Sequence, residues 1–194
     1  MTAELLHWLE PPDKGFTYQQ VKDLDLPYDW VLVDGVIVPR GLTNHWHDTV
    51  RDELHFALRN ARVAPYGTNC ERCVLVDELN VPKPDVVVFD RTGLDVRTLG
   101  CVPVASTVLA VEVVSVGSRS DDRFRKPGMY AAAGVDAYWR VERGTDDIPV
   151  VHEFRLDATT KAYVPAPVAE HSGILRTDFP YSVEIDLRAI VGDL

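Results

Sequence analysis

Glu112 stands inside an otherwise uncharged run, "TVLAVEVVS", from Thr107 to Ser115. A run this apolar reads as a strand buried on both faces. An isolated carboxylate is costly there unless it is paired, neutralised or bound to a metal. A second acid, Asp85, opens the apolar stretch "PDVVVFD". Strand periodicity puts Asp85, Val87 and Phe89 on one face, and Glu112 on one face with Val108, Ala110 and Val114. If the two strands pair, the carboxylates converge. Two convergent carboxylates beside apolar walls suit Mg²⁺, which binds through one or two carboxylates, several waters and substrate phosphate oxygens; Mn²⁺ is the other candidate. Lys126 follows Glu112 by 14 residues (126 − 112). An ammonium near a metal-bound water can orient it or offset charge on a scissile phosphate. Asp85, Glu112 and Lys126 together form a minimal set for metal-assisted phosphodiester hydrolysis.

The elements that must position these residues can be read from patterning. Residues 1–15 contain "EPPDKG" and read as a loose lead-in, with a single domain over 16–194. "TYQQVKDL" reads as a short helix capped by Thr17. "DWVLVDGVIVPR" reads as a hairpin turning at Asp34-Gly35. "NHWHDTVRDELHFALRNA" reads as a helix capped by Thr43 or Asn44, with Val50, Leu54, Ala57, Leu58 and Ala61 on one face. "RCVLV" and "PDVVVFD" are expected strands, and "RTGLDVRTLGCVP" an irregular loop. "SRSDDRFRKPGMYAAAGV" reads as a helix ended by Gly134, with Pro127 kinking it or marking its first turn. "DAYWRVER", "IPVVHEFRL", "AYVPAPV", "GILRT" and "SVEID" complete the strands. This mixed order predicts an α/β or α+β sheet with helices on its faces. A dinucleotide-binding fold is disfavoured, because no Gly-rich turn follows a strand.

Each candidate also has a plainer role. Glu112 could pair with an arginine such as Arg140, and Asp85 could merely start its strand. Asp122 fits an acid at a helix N-terminus, or an i,i+4 partner for Lys126, better than a metal ligand. Tyr130 fits a packing residue that keeps its hydroxyl near the site. His47 lies on the apolar helix face, a supporting position rather than a catalytic one. Arg119, Arg123 and Arg125 form the densest basic cluster; they would suit phosphate contacts, offset by Asp121 and Asp122. Trp139 reads as core, and His45, His55, His152 and His171 as surface residues. Cys70, Cys73 and Cys101 read as three free thiols in a reducing compartment.

At the same residues the sequence resembles the Uma family of restriction-endonuclease-like proteins, within the PD-(D/E)XK nuclease superfamily. The resemblance is carried by "PKPDVVVFD", "LAVEVVS" and "DRFRKPGMYAAAGVDAYWRVE". It is supported by "LVDGVIV", "HDTVRDELHFAL" and the closing "FPYSVEIDL". It implies a restriction-endonuclease-like α/β fold, a central mixed β-sheet flanked by α-helices. It also implies that Asp85 and Glu112 are metal ligands. The superfamily pattern would place a lysine two residues after Glu112. Val114 stands there instead, and the resemblance shifts that role to Lys126 on the next helix.

The expected function is that of a Mg²⁺-dependent endonuclease acting on DNA. Two alternatives stay open: a non-catalytic interaction module that keeps the fold, and a hydrolase of small phosphate esters. A net charge of −10 in 194 residues argues against a broad non-specific nucleic-acid footprint, though not against a local basic groove. "MTAELLHWLE" lacks the basic-then-apolar order of a signal peptide, and no run is long enough for a membrane span. A cytoplasmic protein is therefore expected. Two-strand cleavage is naturally served by a homodimer.

Overall fold

The computed structural model describes residues 10–115 and 117–192. Residues 1–9 of the expected lead-in, and Val116 within the expected loop before the helix, lie outside the described residues. So do residues 193–194.

The first element among the described residues is a short helix α1 (Tyr18–Val21), where the Gln20 side chain accepts a hydrogen bond from the Thr17 backbone N–H. The hairpin follows as β1 (Trp30–Val33) and β2 (Val36–Pro39). Asp34 and Gly35 both have positive φ, 49° and 74°, as the tightest hairpin turn requires. A Cβ on Gly35 would lie 2.6 Å from the Gly15 Cα, so only glycine fits this approach. Leu32 and Val81 exchange backbone hydrogen bonds, tying the hairpin to the segment that leads into Asp85.

Helix α2 (His45–Ala61) comes next, followed by β3 (Tyr66–Cys70), β4 (Val74–Leu75), β5 (Val86–Asp90), β6 (Val102–Pro103) and β7 (Thr107–Val113). A π-helical turn (Asp121–Arg125) runs directly into α3 (Lys126–Ala132). The remaining strands are β8 (Ala137–Arg143), β9 (Pro149–Asp157), β10 (Ala162–His171), β11 (Ile174–Thr177) and β12 (Val183–Asp186). Six of them form one mixed sheet in the order β10-β9-β8-β7-β5-β3. Only β7 and β8 pair in parallel within it. Parallel neighbours need a crossover, and here the π-turn and α3 are that crossover.

Side-chain alternation along β7 divides the core. Leu109, Val111 and Val113 pack with Trp46, Val50, Leu54 and Leu58 of α2. On the other face Ala110 packs with Tyr130, Val135 and Tyr138. Glu112 has the parity of Ala110 and so faces the crossover. All seven residues of β7 are buried, as a central strand covered on both faces requires.

Three expectations are corrected. The thiols are not all free: Cys73 and Cys101 form a disulfide, and only Cys70 is unpaired. The parallel pairing Val74↔Val102 sets the residues just before each strand opposite one another, with Cα atoms 4.7 Å apart. The "RCVLV" strand shrinks to Val74–Leu75 and leaves the central sheet to pair with β6. The place next to β5 in the central sheet belongs to β3, "YGTNC", whose Gly67 and Asn69 carry little strand propensity. Finally, His171 is buried at the end of β10, 3.2 Å from Glu153 of β9, and is not a surface residue.

Candidate active site

Strands β5 and β7 pair antiparallel with Val86 opposite Val111. The same register, extended by one residue, sets Asp85 against Glu112. Asp85 lies just before β5, and its Oδ2 accepts the Val113 backbone N–H at 2.7 Å. Both acids are nearly sealed, at 3% and 1% exposure, yet both line a cleft of about 510 Å³. The cleft is walled by the hairpin residues Val31, Val33 and Val38 and by the crossover residues Asp122 and Lys126.

Lys126 joins the acids from the helix side. Its Nζ is 2.7 Å from Glu112 Oε2 and 2.8 Å from Asp122 Oδ1. The wide π-turn makes this possible. It spans Asp121–Arg125, and the Lys126 N–H bonds back to the Asp121 carbonyl. Slower rotation per residue nearly superimposes residues four apart, so Asp122 and Lys126 stack on one side. Such turns recur at functional sites. Pro127, the second residue of α3, has no N–H to offer the π-turn, and the Asp122 carbonyl accepts the Tyr138 hydroxyl at 2.7 Å instead, so the helix continues through it. The Tyr130 hydroxyl is 3.3 Å from Glu112 Oε1, one turn further along.

The opposite side is held by α2. Asn44 caps the helix through the His47 N–H at 3.0 Å. His47 Nε2 then lies 3.4 Å from Asp85 Oδ2. Arg40, a residue the motif reading did not single out, lies 3.6 Å from Asp85 Oδ1 and also bonds Asp29 and Glu71. Nothing in the sequence near Arg40 marks it, because its partner is 45 residues away (85 − 40).

The electrostatics follow from burial and crowding. Burial pushes Glu112 up to about 8; Asp122 and Asp85 push the same way, and Lys126 pulls it down. Burial also acts to raise Asp85, but His47, Lys126 and the Val113 N–H outweigh it and hold Asp85 below the usual carboxylate range. Burial opposes the charge on Lys126, yet Glu112 and Asp122 raise its pKa overall. His47 is likewise raised: Asp85 and Asp48 overcome its burial.

Of the expected residues, the structure brings Asp85, Glu112, Lys126, His47, Asp122 and Tyr130 together. The arginines are more dispersed. Arg125 lines the same cleft but is held bidentate by Asp121, at 3.1 and 2.8 Å. Arg123 is paired with Glu142, and Arg119 is exposed with no ion-pair partner among the described residues. Arg140 sits beside Glu112 in register but pairs with Glu142, so the arginine-paired reading of Glu112 gives way to a lysine-paired one. Among the described residues no three His, Cys, Asp or Glu side chains are grouped to hold a metal. The donor set is two carboxylates with lone pairs to spare, which fits a cation that completes its shell with water and phosphate oxygens.

Comparison with known proteins shows the family and the fold. Residues 5–188 match the profile of a family described as "Uma2: Putative restriction endonuclease". A crystal structure from Anabaena variabilis, described as a "putative nuclease belonging to DUF820", superposes with a TM-score of 0.65 at 11% identity. The match covers 92% of this chain and 98% of that one, and it shows a shared fold. No curated protein matches the chain.

Proposed function

Because the chain belongs to the Uma2 family, we propose that it is a divalent-metal-dependent endonuclease acting on DNA. The observation that carries this reading is the facing pair Asp85 and Glu112 in the cleft, with Lys126 bonded to Glu112. Asp85 and Glu112 would hold Mg²⁺ or Mn²⁺. Bound there, the cation would supply Lewis-acid polarisation of a phosphate oxygen and a more acidic water.

The chain's own residues do the rest. His47 and the Val113 N–H fix the Asp85 carboxylate, and Tyr130 fixes that of Glu112. Asp122 holds Lys126 at the cleft as well as Glu112 does, so the ammonium would keep its place if Glu112 turned to a cation. There it would orient the attacking water and offset charge on the phosphate. The buried walls around the two acids strengthen these interactions by lowering the local dielectric.

A non-catalytic module is favoured by one observation. The chain carries −10 charge overall, and Arg123 and Arg125 are already neutralised by acids. Plasmid nicking with Mg²⁺ or Mn²⁺ separates the two, with Glu112→Ala as the control. Nicking by wild type alone supports the nuclease. Activity in neither protein supports the module, and equal activity in both means contamination.

A further inference from the structure

A second, smaller pocket of about 130 Å³ opens beside the cleft, and Asn44, His47 and Ser115 line both. Its other walls include Trp46, Arg119, Arg123 and Arg143. We propose that this pocket is a subsite for a backbone phosphate of the nucleic acid, next to the one held at Asp85 and Glu112. The proposal rests on the nucleic-acid reading above and names the part of the substrate that reaches beyond the reacting group.

Charge is the first reason. The pocket and its edge hold Arg119, Arg123, Arg140 and Arg143 against the acids Glu142 and Asp147, a local positive excess in an acidic chain. Glu142 is shared by Arg123 and Arg140, and Arg119 has no acidic partner among the described residues. A guanidinium presents five N–H donors in a fork that matches phosphate oxygens. Among the described residues Arg143 engages only through its Nε, with Asp147 at 2.7 Å, which leaves its two terminal nitrogens for a ligand.

Shape is the second reason. The Arg143 guanidinium lies over the Trp46 ring, 5.2 Å from its centre, a contact that helps hold the fork at the pocket. The Trp46 indole N–H is already bonded to the Asp147 carbonyl at 2.6 Å, and the ring is buried under Arg143. The ring face is therefore unavailable to a base. Small volume, guanidinium walls and a covered aromatic floor select a phosphate over a base. Continuity through Asn44, His47 and Ser115 selects one chain of phosphates over a separate ligand.

The test measures binding without chemistry. Fluorescein-labelled dT12 and a 12-base-pair duplex are titrated in EDTA against wild type, Arg119→Gln, and Arg119→Gln/Arg143→Gln, from 50 to 200 mM salt. Thermal melts check that the variants fold. Losing one charge-assisted phosphate contact should weaken binding about tenfold. It should also lower the slope of log affinity against log salt by about one. Arg119 has no hydrogen-bond or ion-pair partner among the described residues, so its single variant should already move in that direction. Unchanged affinity and slope in the folded double variant would overturn the subsite, as would wild type that binds neither oligonucleotide. Plasmid nicking is scored separately. Nicking with arginine-independent binding leaves the nuclease standing and removes the subsite; arginine-dependent binding without nicking does the reverse.

Discussion

Lys126 connects the two halves of the site, and its removal should be costly. Lys126→Met would leave the buried Asp122 carboxylate without its cation. Breaking a buried pair in this way typically costs about 3–5 kcal/mol, which a urea titration at pH 7 would register. Glu112 itself should show the opposite pH behaviour from most folded-state acids. Its pKa is about 8 in the fold against 4.5 ordinarily. A carboxyl raised on folding costs stability progressively as pH climbs from the lower value to the higher. Glu112→Gln mimics the protonated form, so the metal-free variant should melt no lower than wild type at pH 7. It should gain relative to wild type as pH rises from about 4.5 to about 8, and level off above that. Excess Mn²⁺ should raise the melting temperature of wild type and leave the variant unmoved. A destabilised variant beside a metal-indifferent wild type would make Glu112 a purely structural acid.

At the scale of elements, the site depends on where α2 begins. Asn44 both caps that helix and fixes the backbone of His47, the residue that meets Asp85. Asn44→Ala should cost about 1 kcal/mol of stability, and nicking should fall further than this loss alone explains, because His47 loses its anchor. Comparing urea midpoints with single-turnover rates would separate the two effects. The carboxylates and the lysine were legible in the sequence because strand alternation and the i,i+4 spacing are local rules. Asp85 and Glu112 each announce a face, and Asp122, Lys126 and Tyr130 share one. What escaped is non-local. The π-turn at Asp121–Arg125 carries no pattern distinct from an α-helix. The strand β3 has Gly67, Thr68 and Asn69 at its centre, which pair because β5 offers an edge. Arg40 finds Asp85 only through the folded hairpin, and Cys73 finds Cys101 only through a two-residue parallel pairing.

For the molecule as a whole, the acids and bases around the cleft come from separated stretches, at positions 40, 47, 85, 112 and 126. They meet only once β5, β7 and β8 have joined. Among the described residues no helix is long and apolar enough to cross a membrane. A homodimer remains the proposed form for cutting both strands of a duplex; light scattering at micromolar concentration should return twice the 21.7 kDa chain mass, and a monomer mass would count against it. The bond from the Val113 amide to Asp85 offers a finer view of the assembled sheet. Deep in β7, amide protons should exchange with deuterium only through broad opening of the structure. The Val113 proton is held by a side chain that a cation would also recruit. If binding draws Asp85 away, this one amide should exchange faster while its neighbours, Val111 and Val114, stay protected. A single position along the strand would then report metal occupancy in isotope-exchange spectra, with no turnover and no substrate present.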